Sequence, residues 1–133
     1  MAFELEKLRE FAARYTEAWC RHDAAGVAAH FAPHGKLTIN GGKPAVGRVA
    51  IAELAQSFMT AFPDLCVVME DVLVKENRVE YHWILTGTNN GPGASGKRVQ
   101  ISGFESWKMC ADGLIEESLG SFDEAKYQRQ RNG

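Results

Sequence analysis

Residues 99–109, VQISGFESWKM, read as a β-strand around which the rest of the chain can be interpreted. Successive side chains of a strand point to opposite faces, so Gly103, Glu105 and Trp107 are predicted to share one face of a sheet. The same spacing of two recurs in the segments EYHWILTG and SLGSF, at Tyr81, Trp83, Gly120 and Phe122. These strands are predicted to wall a pocket in which Glu105 is the main buried polar group.

Helical periodicity marks three segments on the N-terminal side of this sheet. The first helix carries apolar residues three or four positions apart: Leu5, Leu8, Phe11, Ala12, Tyr15, Ala18 and Trp19. The second, AAGVAAHF at residues 24–31, is predicted to begin at the N-cap Asp23 and to be stopped by Pro33 and Gly35. The third ends at Pro63, and its apolar residues are Ile51, Leu54, Ala55, Phe58, Met59 and Phe62.

The strands are predicted from a change of period. A short strand, KLTIN, precedes the third helix, and from Cys66 onward the apolar spacing becomes two. This spacing predicts strands at residues 66–74, 78–88, 98–109 and 114–122. Their connections are mostly short, which indicates antiparallel neighbours, although residues 89–97 form a longer glycine-rich loop. The last segment, from Asp123 to Gln130, is predicted to be a short helix or a frayed tail.

Helices followed by an antiparallel meander predict one α+β domain over residues 1–133. A chain of this length buries roughly two-thirds of its unfolded surface, so a single core suffices. The twisted sheet is expected to curl around the first and third helices as a cone. Such a cone leaves a cavity at its open end if the inward side chains there are too few or too small to fill it.

Charge and hydropathy exclude several classes of protein. With 15 basic and 17 acidic residues the net charge is −2, and no basic patch indicates a nucleic-acid partner. The N-terminal segment is helical and charged, unlike a signal peptide, and no apolar run is long enough to span a membrane. We therefore expect a soluble, cytoplasmic protein that binds neither nucleic acid nor membrane.

The cysteines and histidines do not predict a metal site or a disulfide framework. The three cysteines are far apart and form no C-x-x-C pair. His30 and His34 are four residues apart, but Pro33 between them prevents one helix from carrying both. Neither a metal nor a cofactor is expected.

Several phrases that together cover nearly the whole chain resemble the nuclear transport factor 2-like superfamily. They are RYTEAWCRHD with HFAPHG, VGRVAIAEL, FPDLCVVMEDVLVKENRVEYHWILTGT and GKRVQISGFESWKMCADGLIEE. More narrowly, the chain resembles the SnoaL-like polyketide cyclases and the ketosteroid isomerases. The resemblance implies a cystatin-like cone, in which a curved antiparallel sheet wraps around N-terminal helices. It is less specific for activity, because the superfamily includes isomerases, cyclases, hydrolases and non-catalytic proteins.

Resemblance to the isomerases implies a site with one part missing. Tyr15 stands where they keep an oxyanion-hole tyrosine, and Glu105 stands where they keep a protonated carboxylic acid. Ile39 and Asn40 lie nearest to the position of their general-base aspartate. Neither residue can accept a proton from carbon at neutral pH.

Resemblance to the cyclases implies that a second catalytic residue is missing. Gly120 stands at the position of their acid/base aspartate, and their pocket glutamine and histidine map onto Glu105 and Trp107. The acid/base function is therefore expected at Glu105. Limonene-type epoxide hydrolase chemistry is rejected, because the required Asp-Arg-Asp set is missing from the sequence.

Each candidate residue also has a structural interpretation. Glu105 is predicted to be either a general acid/base with a pKa raised by burial, or a carboxylate bonded to Tyr15 or paired with His82. Tyr15 lies on an apolar helix stripe, a position more typical of a core residue whose hydroxyl has a hydrogen-bond partner than of a ligand contact. His82 is out of phase with Trp83 and should face the other side of the sheet.

The predicted catalytic residues are Glu105 and Tyr15. The predicted ligand-binding residues are Trp19, Phe31, Asn40, Phe58, Phe62, Trp83, Gly103, Trp107, Ser118, Gly120 and Phe122. Trp83 and Trp107 either stack on a flat ligand or belong to the core.

Two functions from different classes follow. The first is a cofactor-independent isomerase, cyclase or lyase acting on a polyketide- or steroid-like molecule through Glu105. The second is a non-catalytic protein that binds a small hydrophobic molecule in the same pocket. Phe104 and Ile84 are apolar on the outer face of the sheet, so this face is predicted to pack in a homodimer.

Overall fold

The computed structural model describes residues 4–90 and 95–132. Part of the predicted loop over residues 89–97 lies outside these ranges. The elements, in chain order, are α1 (Leu5–Cys20), α2 (Ala24–Ala29), β1 (Phe31–Ile39), β2 (Ala45–Val46), α3 (Arg48–Ala61), β3 (Cys66–Lys75), β4 (Arg78–Thr88), β5 (Arg98–Met109), β6 (Ile115–Phe122) and α4 (Glu124–Asn132).

The three predicted N-terminal helices are present, and their local signals explain their bounds. The apolar stripe of α1 is buried at Leu8, Ala12, Tyr15 and Ala18. The carboxylate of Asp23 accepts the backbone N–H of Gly26 at 2.9 Å and so caps α2, as predicted. The last segment is helical in α4, which settles the choice between a helix and a frayed tail.

The predicted end of α2 and start of β1 are wrong. The helix ends at Ala29, and Phe31 begins a strand that extends five residues further back than predicted. Phe31 is fully buried and pairs with Ile115 of β6. The ladder between β1 and β6 is interrupted between Phe31 and Lys36, so Pro33 removes no regular hydrogen bond there. The two-residue strand β2 carries too little periodicity to be predicted.

Within the described ranges the strands form one six-stranded sheet in the order β2-β1-β6-β5-β4-β3. Strands β3 to β6 form the predicted antiparallel meander. In contrast, β1 runs parallel to β6, its neighbour in space but not in sequence. The sheet is curved and not closed, and the predicted α+β cone is confirmed.

Two apolar clusters fill the concave side of the sheet. The larger lies under α1, α2 and α3 and includes Tyr15, Phe31 and Trp107. The smaller packs α4 against the ends of β4 and β5 through Phe62 and Tyr127. Trp19 and Trp83 contact both clusters, and the candidate site lies where the clusters meet.

The convex face carries partly exposed apolar side chains. Ile84 and Phe104 are half-buried there, and Phe104 stacks on His82 with ring centroids 5.4 Å apart. Val68 pairs with Ile84 and is 55% exposed, while Leu119 is 43% exposed. Within the described part of the chain, no helix combines the length and the apolar character needed to cross a bilayer.

Two glycines on neighbouring strands provide a matched test of the sheet packing. A Cβ at position 103 would overlap the carbonyl oxygen of Ser121 and lie 2.8 Å from the Trp83 ring, whereas a Cβ at position 120 would meet its nearest neighbour at 3.5 Å. We expect Gly103→Ala to lower the free energy of unfolding by about 1 to 3 kcal/mol. Gly120→Ala should lower it by less than about 1 kcal/mol. Urea denaturation of both variants checks this, and equal losses would contradict the packing described.

Candidate ligand pocket and buried acid

An apolar cavity of about 60 Å³ opens between the two core clusters. Side chains from α1, α3 and five strands line it. They are Trp19, Leu37, Ile39, Phe58, Val67, Tyr81, Trp83, Leu85, Ile101, Glu105, Gly120 and Phe122. Among these residues Glu105 has the one carboxyl group, so any acid/base chemistry supplied by the lining at neutral pH depends on it.

The carboxyl group of Glu105 is buried and bonded to three donors. Ser118 Oγ donates to Oε1 at 2.7 Å, and the indole N–H of Trp107 donates to the same oxygen at 3.0 Å. The Tyr15 hydroxyl lies 3.1 Å from both Oε1 and Oε2. Glu105 is 8% exposed, and its three partners are fully buried. Bulk water therefore contributes little to this arrangement.

Strand register explains how the chain builds this cluster. In the antiparallel pair of β5 and β6, Glu105 lies opposite Gly120 and Trp107 lies opposite Ser118. All four residues therefore occupy the concave face, with the two side chains bonded to Glu105 next to it. The fourth member, Tyr15, comes from the buried stripe of α1. The cluster thus ties the first helix to the centre of the sheet.

Burial raises the pKa of Glu105 above its ordinary value of 4.5. The hydrogen bonds from Ser118, Trp107 and Tyr15 favour the anion and lower the pKa, but they do not cancel the effect of burial. Burial also raises the pKa of Tyr15 well above 10.0, and the neighbouring Glu105 charge adds to this effect. Tyr15 therefore remains a neutral hydrogen-bond donor at physiological pH.

The geometry also decides where a proton on Glu105 would lie. The indole N–H of Trp107 can only donate, and it donates to Oε1 together with the Ser118 hydroxyl. Oε2 has one described partner, the Tyr15 hydroxyl, which it shares with Oε1. In the neutral acid the proton therefore belongs on Oε2. Glu105 itself is part of the cavity lining.

Tyr81 contributes its ring to the cavity wall, because its hydroxyl is occupied elsewhere. The ring stacks on Trp107 with centroids 4.9 Å apart. The Thr16 hydroxyl donates to the Ala12 carbonyl at 2.8 Å, so it must accept from the Tyr81 hydroxyl 2.5 Å away. Burial also raises the pKa of Tyr81. Tyr81 is therefore a poor proton donor for a ligand.

Trp83 lines the cavity with its indole ring. Its Nε1 is buried and has no hydrogen-bond partner among the described residues. A buried N–H without an acceptor costs about 1 to 3 kcal/mol.

The sequence-predicted residues fall into three groups in the structure. Trp19, Phe58, Trp83, Glu105, Gly120 and Phe122 line the cavity. Three further residues, Tyr15, Trp107 and Ser118, donate hydrogen bonds to the Glu105 carboxyl group. The remaining four lie outside the lining: Phe31, Asn40, Phe62 and Gly103.

Each of these four has another structural place. Phe31 and Phe62 are fully buried in the two core clusters. Asn40 is exposed, and its amide oxygen accepts the N–H of Phe122 at 2.9 Å, which fastens the end of β6 to β1. Gly103 gives the Trp83 ring room to lie against the sheet.

Six lining residues were not among the predicted ligand-binding residues. They are Leu37, Ile39, Val67, Tyr81, Leu85 and Ile101. Their signal was present in the alternation of the strands, since Leu85 follows Tyr81 and Trp83 at a spacing of two and Ile101 precedes Gly103. The alternation does not indicate which inward residues border an open space and which are packed.

The alternative partner for Glu105, His82, lies on the convex face as its phase predicts. Its Nε2 is 3.1 Å from the carboxylate of Glu80. Structural support for Glu105 therefore comes from Tyr15, Trp107 and Ser118. Within residues 4–90 and 95–132, no three His, Cys, Asp or Glu side chains form a group that could hold a metal ion.

The sequence matches a known protein family. The family model of the SnoaL-like domain matches residues 12–118. No curated protein sequence matches the chain significantly.

Solved structures share the fold at low sequence identity. A proposed SnoaL-like polyketide cyclase from Jannaschia sp. CCS1 is 20% identical, with a TM-score of 0.82 over 100% of this chain and 97% of its own. AclR, a proposed hydroxylase from Streptomyces galilaeus, is 22% identical, with a TM-score of 0.75 over 90% and 91%. SalBIII, an epoxide hydrolase/cyclase-like enzyme of pyran ring formation in salinomycin, is 18% identical, with a TM-score of 0.77 over 91% and 94%.

The raised pKa of Glu105 predicts a pH-dependent stability. A carboxyl group with a higher pKa in the folded state stabilises the fold below its unfolded pKa, near 4.5, and this contribution is lost as pH rises through the folded pKa. We expect the free energy of unfolding of the wild type, relative to Glu105→Gln, to fall as the pH rises above about 4.5. Urea denaturation across this range measures the difference.

Glu53→Gln, on the exposed side of α3, is the control for the loss of one surface charge. Its stability should change with pH in parallel with that of the wild type. A constant difference between the wild type and Glu105→Gln at every pH would show that the pKa of Glu105 is not raised.

Proposed function

The chain belongs to the SnoaL-like domain family, and we propose that its cavity receives a small apolar molecule bearing an oxygen acceptor. Glu105 acts there as the acid in a cofactor-independent isomerisation or cyclisation, with Tyr15 supporting its charge. The observation that carries this proposal is a buried carboxyl group with a raised pKa that borders an apolar cavity. Such groups are concentrated at functional sites.

The proposed reaction needs one proton-carrying group. Glu105 donates the proton of Oε2 to a carbonyl or ether oxygen of the ligand, which draws electrons toward that oxygen. Ring closure or a shift of a double bond then releases a proton from the oxygen nucleophile or from carbon. The Glu105 carboxylate accepts that proton and returns to its starting state. Protons balance, and no second acid is consumed.

The hydrogen bonds around Glu105 support this cycle. When Glu105 gives up its proton, negative charge develops on a carboxylate that already faces Ser118 Oγ, Trp107 Nε1 and the Tyr15 hydroxyl. These donors are in place before the reaction, so they stabilise the charge without rearrangement.

A non-catalytic binding protein is the second candidate, and the lining itself favours it. Gly120 provides no acid/base group where the cyclases keep an aspartate, so Glu105 works without a carboxylate partner in the described cavity lining. A single acid with oriented donors is also sufficient to bind a ketone by hydrogen bonds. Binding and turnover must therefore be measured separately.

Glu105→Gln separates the two functions. The glutamine oxygen still accepts hydrogen bonds from Trp107 and Ser118, and its NH₂ group still donates to a ligand, but it transfers no proton. On a panel of cyclic β,γ-unsaturated ketones and hydroxy-epoxides, we expect this variant to lose at least about 100-fold in turnover. Affinity, from isothermal titration calorimetry, should change by less than about threefold. Chromatography of the products measures turnover.

Glu53→Gln is the matched control and should match the wild type in both measurements. Equal turnover in the wild type and Glu105→Gln would refute the acid role. Ligand binding without turnover of any panel member by the wild type would favour the binding protein.

We also propose that the convex face of the sheet holds a second copy of the chain. Val68, Ile84, Phe104 and Leu119 place apolar surface on this face, and the first and last of these are 55% and 43% exposed. Pairing of two such faces would remove this surface from water. Dimerisation would leave the cavity on the concave side open to ligand.

Phe104→Lys tests this interface, because it would place a charge in the middle of the proposed contact. Sedimentation velocity should give twice the monomer mass for the wild type and the monomer mass for Phe104→Lys. Val49→Lys is the control, since Val49 is 75% exposed on α3, away from the convex face. A monomeric wild type, or a Phe104→Lys dimer, would contradict the proposal.

A further inference from the structure

Two cysteines meet at the free edge of the sheet. Cys20 is the last residue of α1, and Cys66 is the first residue of β3. The Sγ of Cys20 donates to the carbonyl of Val67 at 3.1 Å and accepts the N–H of Val67 at 3.3 Å. The thiol therefore occupies the position where a further strand would pair with β3.

The two thiols are neighbours as well as accessible. Burial raises the pKa of the Cys20 thiol, and the neighbouring Cys66 thiol adds to this effect. Both residues are exposed and free. Cys66 directly precedes Val67, whose backbone the Cys20 sulfur contacts, so the two cysteines adjoin at this point of the sheet edge.

We propose that Cys20 and Cys66 are an oxidative modification site, at which a peroxide converts the two thiols into an intrachain disulfide. The Cys66 thiolate attacks one peroxide oxygen and becomes a sulfenic acid, while the O–O bond breaks and the other oxygen leaves as water or alcohol. The Cys20 thiol then attacks the Cys66 sulfur, forms the S–S bond and releases water. Two electrons leave the sulfur pair and reduce the peroxide.

Cys66 is the residue oxidised first for a physical reason. The Cys20 sulfur is engaged on both sides by the Val67 backbone, and its raised pKa lowers its thiolate fraction. Cys20 therefore acts as the resolving thiol.

The disulfide would fix one wall of the cavity. Trp19 and Val67 are the chain neighbours of the two cysteines, and both line the cavity. The bond would join the end of α1 to the edge strand at this wall. It would also close a long loop of chain, which restricts the unfolded state and stabilises the fold. This inference does not depend on the acid chemistry of Glu105.

The test treats the reduced full chain with hydrogen peroxide in small molar excess and follows intact mass, free thiols and thermal unfolding. Of the three thiols in the chain, we expect two to be lost. The intact mass should fall by two hydrogens, and a peptide digest should contain a fragment that joins Cys20 to Cys66. The melting temperature should rise by roughly 5 to 10 °C and return to its initial value after treatment with dithiothreitol.

Single variants separate this bond from other oxidation. Cys110→Ser, in the turn after β5, should form the same bond and show the same rise. Cys66→Ser should form no intrachain bond and show no rise. Sulfinic acid on Cys66, a bond that involves Cys110, or a covalent dimer as the main product would each overturn the proposal, as would an intact Cys20–Cys66 bond without stabilisation.

Discussion

A carboxyl group buried between a helix and a sheet needs hydrogen-bond donors, and this requirement organises the centre of the molecule. An isolated carboxylate in apolar surroundings is very unfavourable, so it is either bonded or neutral. Glu105 accepts hydrogen bonds from three donors, and burial still raises its pKa and so favours the neutral form. The donors come from α1, β5 and β6, so the acid also fixes the first helix against the sheet.

The cavity exists because the two core clusters do not merge. The larger cluster belongs to the N-terminal helices and the smaller to α4, and Trp19 and Trp83 connect them without filling the space between. Glycines on the two central strands contribute in opposite ways. Gly103 has no room for a side chain because the Trp83 ring and the Ser121 carbonyl are close, whereas Gly120 leaves space next to Glu105. One glycine permits close packing, and the other helps to keep the cavity open.

Local patterns predicted most of the fold, since helix periodicity, capping and strand alternation are set by residues close in sequence. The apolar stripe of α1, the N-cap of α2 and the meander from β3 to β6 follow from such patterns. The parallel contact of β1 with β6 does not, because it joins segments far apart in sequence through the burial of Phe31. The same long-range contact overrides the helical periodicity that extended α2 to Phe31. The N-cap of α2 survives because it depends on residues only three positions apart.

Local sequence patterns are enough to place Glu105 on an inward face, since strand alternation groups it with Gly103 and Trp107. Helical periodicity likewise places Tyr15 on the stripe of α1 that packs against this sheet. The arrangement of the elements in space then brings Tyr15, Trp107 and Ser118 to the carboxyl group, while other inward residues border open space. Sequence patterns do not predict this arrangement, because a hydrogen bond or a cavity depends on distances between separate elements to within about 1 Å. The period of a single strand does not contain those distances.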